Sequence, residues 1–388
     1  MIPTLLSAER LAAIRPQFPH TQKNHVYFNH ASTGPLSTRV VLAMNEHLES
    51  RSSGPIDTYA GDMVTVKECR NRIRHLINAE SPDRIALLSS TSETLNVVVS
   101  GLDWKSGDRV LMNKGEFPAN VYPYLALKQL GVEIDFIEND TEAMTVELIE
   151  HALTPRTRVV ALSAVQFLSG YRADLAAIGA MCKRKNILFI VDGIQAAGAM
   201  KFDVQSMKID ALGAGGQKWL LGPHGIGFLY LTEEMQARVQ QKHVGWLSPE
   251  NPWNFFDYKQ PLASTARRYE GGSLNFPAVW GMNAAVGIIL EFGVDAIESH
   301  ILALTRLLMN QLAEVHSLAF YSPNDDACRA GIVTVQFKSS ADLNPVFQSL
   351  FKNNVTIALR NEKLRLSPHF YNSPDEVTRV GEMMKRYA

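Results

Sequence analysis

The sequence has few cysteines and no long hydrophobic run. Its three cysteines, Cys69, Cys182 and Cys328, form no CxxC pair, which excludes a disulfide framework. No apolar run approaches the roughly 18 residues of a membrane-spanning helix. The first twenty residues show no basic stretch followed by an apolar one, so we expect no signal peptide. We therefore predict a cytoplasmic protein that does not bind membranes.

Charge of one sign is also scarce. The chain carries 38 basic and 39 acidic side chains, so its net charge is -1, and no basic surface for nucleic acid is expected. The 11 histidines show no metal-binding spacing such as HExxH, and we predict no metal. A length of 388 residues with 46% hydrophobic content is typical of a soluble enzyme of about two domains.

Short apolar runs alternate with helical patterns over the first two thirds of the chain. This alternation predicts a mainly parallel sheet covered by helices on both faces. The last two runs are joined by few residues, so one of the two strands is expected to be antiparallel. The predicted strands span residues 84–88, 108–112, 132–137, 157–164, 186–192, 209–214 and 225–231.

The pattern changes from about residue 281. A long helical stretch (283–315) precedes the runs GIVTVQF, FQSLFKNN, VTIALR and KLRLS, which predicts a smaller α+β domain. We divide the chain into a large domain (25–270), a small domain (271–388) and an N-terminal segment (1–24). That segment is expected to pack with the small domain.

Three of the predicted strands end in polar residues, where ligands of open α/β sheets bind. Asp192 ends one strand, hydroxyl residues 89–92 follow another, and Lys218 follows a third. Each has a structural explanation: helix capping for the carboxylate and hydroxyls, and a solvent-reaching side chain for the lysine. Together they supply a carboxylate, an anion site and an amine, which are the groups that pyridoxal phosphate (PLP) needs. P-loop and dinucleotide-binding motifs are missing.

The order of motifs resembles that of the class V aminotransferase group of fold-type I PLP enzymes. This group includes cysteine desulfurases, kynureninase and isopenicillin N epimerase-like proteins. The resemblance implies an α/β fold, with a large PLP-binding domain around a mainly parallel seven-stranded sheet and a smaller α+β C-terminal domain. The matching segments are YFNHASTGPLS, LSSTSETLN, GEFPANVYP, VDGIQAAG, GGQKWLLGPHGIGFLY, RRYEGGSLN and LRLSPHFYN.

The resemblance implies a role for each matching residue around the cofactor ring. Lys218 would form the Schiff base with PLP and then move the substrate proton. Asp192 would keep the pyridine nitrogen protonated, and Gln195 would contact the phenolic oxygen. Phe117 would stack on the ring.

The resemblance also implies how the phosphate is bound and how the subunits are arranged. Thr91, Ser92 and Gln217 would hold the phosphate. Gly272 and Ser273 match the segment that reaches the phosphate of the partner subunit, which implies a homodimer with a shared active site.

Three further residues are candidates for binding an amino acid or keto acid. Arg365 matches the arginine that grips a substrate carboxylate in a bidentate fork. Arg360 and Asn29 are weaker candidates for lining the same pocket.

The sequence departs from two members of the group. Cysteine desulfurases carry a nucleophilic cysteine shortly before the position of Arg365. Here VTIALRNEKLRLS contains none, and Cys328 lies far upstream, so we disfavour a desulfurase. Leu168 stands where kynureninases usually have an arginine.

These departures leave a class V aminotransferase as our leading prediction for function. An epimerase or lyase using the same Schiff base is the alternative. A non-catalytic protein with the same fold is a third reading, which the joint retention of Lys218 and Asp192 makes weak.

Overall fold

A computed structural model describes residues 3–339 and 342–386 of the chain. The strands in these residues are β1 Val26–Tyr27, β2 Ile85–Leu88, β3 Arg109–Asn113, β4 Glu133–Ile137, β5 Thr157–Ser163, β6 Leu188–Asp192, β7 Ala211–Gly215, β8 Gly227–Leu231, β9 Leu318–Phe320, β10 Val333–Phe337, β11 Val355–Thr356, β12 Ala358–Arg360 and β13 Lys363–Leu366. The α-helices are α1 Ala8–Ile14, α2 Thr38–Ser52, α3 Tyr59–Ile77, α4 Thr91–Gly101, α5 Tyr122–Leu125, α6 Val146–Ala152, α7 Leu175–Arg184, α8 Glu233–Arg238, α9 Phe276–Phe292, α10 Val294–Ala313, α11 Asn344–Lys352 and α12 Pro374–Lys385.

The seven predicted strands form one sheet in the order β2-β8-β7-β6-β5-β3-β4. Strand β8 is antiparallel to both of its neighbours, and the other pairs are parallel. The short connection from β7 to β8 leaves no room for a crossover helix, which explains the reversed strand. The predicted mainly parallel sheet is confirmed.

Both faces of this sheet are buried. Along β5, Val160 and Leu162 pack into one hydrophobic cluster with α3, α7 and α9, whereas Val159 and Ala161 pack into another with α4. Successive side chains of a strand point to opposite faces, so these near-continuous apolar runs follow from two covered faces. No helix in the described ranges is long and apolar enough to cross a bilayer.

Two helix predictions differ from the structure. The sequence ANVYPYLALKQLG (119–131) has a helical pattern that predicts one helix, but it contains the short helix α5 flanked by 3₁₀ turns. Pro123 cannot occupy a helix interior, where it lacks a hydrogen-bond donor and clashes with the preceding turn. The long stretch after residue 281 is two helices, α9 and α10, which are separated at Gly293 (φ 84°).

The C-terminal part forms a second, antiparallel sheet in the order β12-β13-β10-β9. The N-terminal strand β1 pairs in parallel with β11, and the backbone N–H of Leu6 donates to His300 in α10. Helix α9 packs against α2 and α3. The division into domains stays a prediction.

Candidate active site

The candidate site is a cavity of about 250 Å³ at the edge of the large sheet where β2, β6 and β7 end. Parallel strands bring their carboxyl ends to the same edge, as the strand-end argument requires. Nine predicted residues line this cavity: Thr91, Ser92, Phe117, Asp192, Gln195, Gln217, Lys218, Arg360 and Arg365. Six further residues line it: Ala31, Ser32, Ser90, Ala119, Phe167 and Ile194.

Asp192 ends β6 inside the protein with one oxygen unsatisfied. Its Oδ1 accepts a hydrogen bond from the backbone N–H of Ile194 at 2.9 Å. Its Oδ2 is buried without a hydrogen-bond partner. Burial raises the pKa of this carboxyl, and the nearby Glu116 adds to the rise, whereas Lys218 opposes it. An orphaned buried acceptor costs free energy unless a donor meets it, so Asp192 suits a protonated ring nitrogen.

Lys218 follows β7 and points into the same cavity. Its side chain is buried, and its Nζ lies 5.4 Å from the ring centroid of Phe117. Burial lowers the pKa of Lys218, and Asp192 opposes this shift. A buried amine with a depressed pKa can act as a nucleophile and as a base near neutral pH.

A ring of polar groups surrounds the start of α4. Ser90 caps the helix, and Thr91 Oγ1 accepts a hydrogen bond from the backbone N–H of Gly215 at 2.9 Å. A Cβ at Gly215 would lie 2.5 Å from Oε1 of Gln217, so any side chain there would displace the Gln217 amide. Hydroxyls, an amide and a helix N-terminus together suit a phosphate group.

Gln195 is held on both sides of its amide. Its Nε2 donates to the carbonyl of Ala31 at 3.0 Å, and its Oε1 accepts from the indole of Trp219 at 2.9 Å. One amide hydrogen remains for the predicted contact with a phenolic oxygen. That contact stays a prediction.

Arg365 reaches the cavity from the second sheet. Its Nη1 donates to the carbonyl of Phe167 at 2.6 Å, and its Nη2 donates to the hydroxyl of Ser32 at 2.7 Å. Its Nε is buried without a partner. Burial, assisted by the charge of Arg360, lowers the pKa of Arg365 to about 10, so the guanidinium stays charged at neutral pH.

Three predicted residues do not line the cavity. Asn29 forms a backbone bridge with Ser367. Gly272 and Ser273 lie on the loop before α9, and their role toward a partner subunit stays a prediction. Within 3–339 and 342–386, no cluster of three metal-ligating side chains occurs.

Sequence reasoning missed Ser32, Phe167 and Glu116. Ser32 lies in the quoted segment YFNHASTGPLS, but nothing in that segment distinguishes it from Asn29. Phe167 contributes a backbone carbonyl and an aromatic edge against Phe117, with ring centroids 5.3 Å apart. No sequence pattern marks such a carbonyl.

Glu116 is a buried carboxylate behind the cavity wall. Its Oε1 accepts from the N–H of Ser163 at 2.9 Å and from Nε2 of Gln166 at 2.7 Å. Its Oε2 accepts from the hydroxyl of Ser163 and from Nδ2 of Asn120 at 3.0 Å. Glu116 therefore fixes the segment that carries Phe117 to the end of β5.

Comparison with known proteins agrees with this geometry. Residues 26–379 match the family model of the class-V aminotransferases. The chain belongs to this family. It is 26% identical over 392 residues to a probable cysteine desulfurase of Methanothermobacter thermautotrophicus, with 94% of this chain and 95% of the relative covered. It is 28% identical over 368 residues to an uncharacterized aminotransferase, YcbU, of Bacillus subtilis, with 94% of each covered.

A solved structure supports the fold. The chain superposes on a mutant of C-DES that has glycine covalently linked to its PLP cofactor. The TM-score is 0.87 at 22% identity, and the match covers 96% of this chain and 99% of the other. PLP is the cofactor of the class-V aminotransferase family to which the chain belongs.

The residues present fit this cofactor. The orphaned Oδ2 of Asp192 would bind the ring nitrogen, and the groups at the start of α4 would bind the phosphate. Lys218 would hold the aldehyde carbon, and Phe117 would cover one ring face. When bound, PLP withdraws electrons from a substrate amino acid and so weakens the bonds at its Cα.

Proposed function

We propose that the chain is an aminotransferase that acts on an amino acid through Lys218. The proposal depends on the inventory of groups in the cavity. The titratable side chains that line it are Asp192, Lys218, Arg360 and Arg365. Arginine stays protonated, and Asp192 is assigned to the cofactor. Lys218 is then the one group in the lining that can take a proton from the substrate's Cα.

Transamination needs no further acid or base. Lys218 Nζ removes the proton from the substrate's Cα and then returns a proton to a second carbon, on the cofactor side of the bond that joins substrate and cofactor. The Arg365 fork holds the carboxylate meanwhile. Transfer of a sulfur atom from Cβ to the protein also needs a thiol that receives it, and the described lining contains no cysteine.

A lyase that cleaves a C–S bond is the second candidate. It is favoured by the name of the relative from Methanothermobacter thermautotrophicus. Against transfer to a protein thiol stands the hairpin β12–β13, whose two-residue turn has positive φ at Asn361 (45°) and Glu362 (58°), as in a type I′ turn. This tight turn occupies the position where desulfurases carry their cysteine.

Half-reactions test the proposal. Holoenzyme incubated with single amino acids should convert PLP to pyridoxamine phosphate and release the 2-oxo acid, and added 2-oxo acid should reverse the reaction. Release of sulfide, elemental sulfur or pyruvate with the cofactor unchanged would support the lyase.

Two variants test the roles of the residues. Lys218→Ala should abolish the covalent, borohydride-reducible attachment of PLP and the half-reaction together. Arg365→Lys keeps the charge but loses the fork, so it should raise KM far more than it lowers kcat. Unchanged turnover in Lys218→Ala would contradict the assignment.

A further inference from the structure

Two arginines lie on the same face of the hairpin β12–β13. Arg360 pairs with Lys363, and Ala358 pairs with Arg365. Arg360 and Arg365 are therefore diagonal neighbours, and their Cα atoms are about 7–8 Å apart. Both guanidinium groups reach the hydroxyl of Ser32, at 2.7 Å for Arg365 and 3.4 Å for Arg360.

The two guanidinium groups have no anionic partner. No carboxylate lies within 4 Å of Arg360 or Arg365 in the described part of the chain. Asp192 is the one acid in the described lining, against the cations Lys218, Arg360 and Arg365. The charge of Arg360 also contributes to the lowered pKa of Arg365. The two guanidinium groups of the hairpin therefore lie at the cavity with no carboxylate paired to either of them in the described part of the chain.

A single substrate carboxylate can pair with only one of these two guanidinium groups. Arg365 is held by two neutral acceptors and retains an unpartnered, buried Nε, so its fork suits one carboxylate. Arg360 is exposed at the rim of the cavity. Once Arg365 has bound the α-carboxylate, Arg360 has no anionic partner among the described residues.

We infer, on the basis of the proposed function, that Arg360 binds a second carboxylate at the end of a short substrate side chain. The substrate is then a dicarboxylic amino acid or its 2-oxo acid. A short side chain follows from the separation of the two arginines, which are diagonal neighbours on the hairpin. Arg360 would thus determine specificity, and Lys218 would still carry the chemistry.

Binding of substrate analogues tests this inference without turnover. Holoenzyme is titrated with succinate and with butyrate, which share a four-carbon chain, at constant ionic strength and with the cofactor absorbance as signal. We expect succinate to bind at least about 10-fold more tightly than butyrate, equivalent to about 1.4 kcal/mol. In Arg360→Gln the two affinities should agree within about twofold.

Lys363→Gln is the matched control. It removes the same charge from the same hairpin, but Lys363 Nζ lies 4.8 Å from the ring of Tyr321 and does not line the cavity. This variant should keep the preference for succinate. Equal binding of the two acids to the unaltered holoenzyme, or an unchanged preference in Arg360→Gln, would overturn the inference.

Arg365→Gln separates this inference from the proposed function. If it weakens both acids while the unaltered protein shows no preference, the α-carboxylate site stands and the second site is wrong. If Arg365→Gln leaves both affinities unchanged, the carboxylate grip of the proposed function fails, and the inference falls with it.

Discussion

Replacing Glu116 by glutamine or by alanine should have very different consequences for stability. Glutamine can keep Oε1 as the acceptor for the Ser163 N–H and Gln166. Its amide would face the Ser163 hydroxyl, which can rotate to accept, and Asn120, whose buried Oδ1 now lacks a partner and can turn inward. All four contacts survive as neutral hydrogen bonds, so we expect a cost of about 1 kcal/mol.

Alanine offers no acceptor at that position. The Ser163 N–H and the amides of Gln166 and Asn120 would then be buried donors without partners, at about 1–3 kcal/mol each. Partial rearrangement reduces the sum, and we expect Glu116→Ala to cost about 4 kcal/mol. Urea denaturation of the apoprotein measures both variants. Equal losses, or a larger loss for glutamine, would refute this account of the network.

The same denaturation experiment also tests how the stability cost of Glu116→Gln changes with pH. Burial raises the pKa of Glu116, and its four hydrogen bonds only partly offset the shift. A raised folded-state pKa gives stability that is present at acid pH and is lost as pH rises. Glutamine does not titrate, so the measured cost of Glu116→Gln should be largest at acid pH and shrink toward neutral pH.

A second measurement distinguishes the effect of Glu116 on Asp192 from its effect on the stability of the fold. The negative charge of Glu116 contributes to the raised pKa of Asp192, so Glu116→Gln should lower that pKa and shift the pH titration of the cofactor absorbance. Glu376→Gln is the control, because Glu376 is also buried and accepts hydrogen bonds from Arg15 and Asn372, but is not among the groups that shift the pKa of Asp192. It should lose stability without shifting the cofactor titration.

Three further predictions follow from the same contacts. Gly34→Ala places a Cβ against the carbonyl oxygen of Lys218, so it should cost about 1–3 kcal/mol of stability and weaken PLP binding. In Gly61→Ala the new Cβ meets nothing within 4 Å, so stability and PLP binding should both be kept. Burial raises the pKa of Asp192, so its contribution to the stability of the apoprotein should fall as pH rises from about 4, and urea denaturation should show that Asp192→Asn weakens the pH dependence of stability in this range. Cys328→Ser should leave turnover unchanged in steady-state assays, because Cys328 lies outside the described cavity lining.

The sequence predicted the large sheet well because its strands are buried on both faces. Apolar runs of that kind are visible without any knowledge of their neighbours, and the polar residues that end them then mark one edge. Asp192 and Lys218 were found in this way. Helix boundaries were harder, because a single glycine (Gly293) or proline (Pro123) redirects the chain while the apolar pattern continues across it.

Ser32 could not be found from the sequence for a different reason. Its hydroxyl matters only because Arg365, 333 positions away, donates to it, and no periodic pattern encodes such a contact. The same holds for the carbonyl of Phe167, which any residue at that position would supply. Backbone acceptors and single hydroxyls gain a role only when two distant segments meet.

The segment 166–170 determines how the two sheets meet at the site. The carbonyl of Leu168 accepts from the hydroxyl of Thr334 in β10 at 2.6 Å, while the carbonyl of Phe167 accepts from Arg365 in β13. Gly170 has φ 72°, and a Cβ there would lie 2.6 Å from the carbonyl oxygen of Ile332. The segment is thus pressed directly onto the second sheet, and Gln166 ties it to Glu116 on the loop that follows β3 of the first sheet. In the proposed function the amine of Lys218 comes from one sheet and the carboxylate grip of Arg365 from the other, so this segment would set the distance between substrate Cα and Lys218 Nζ.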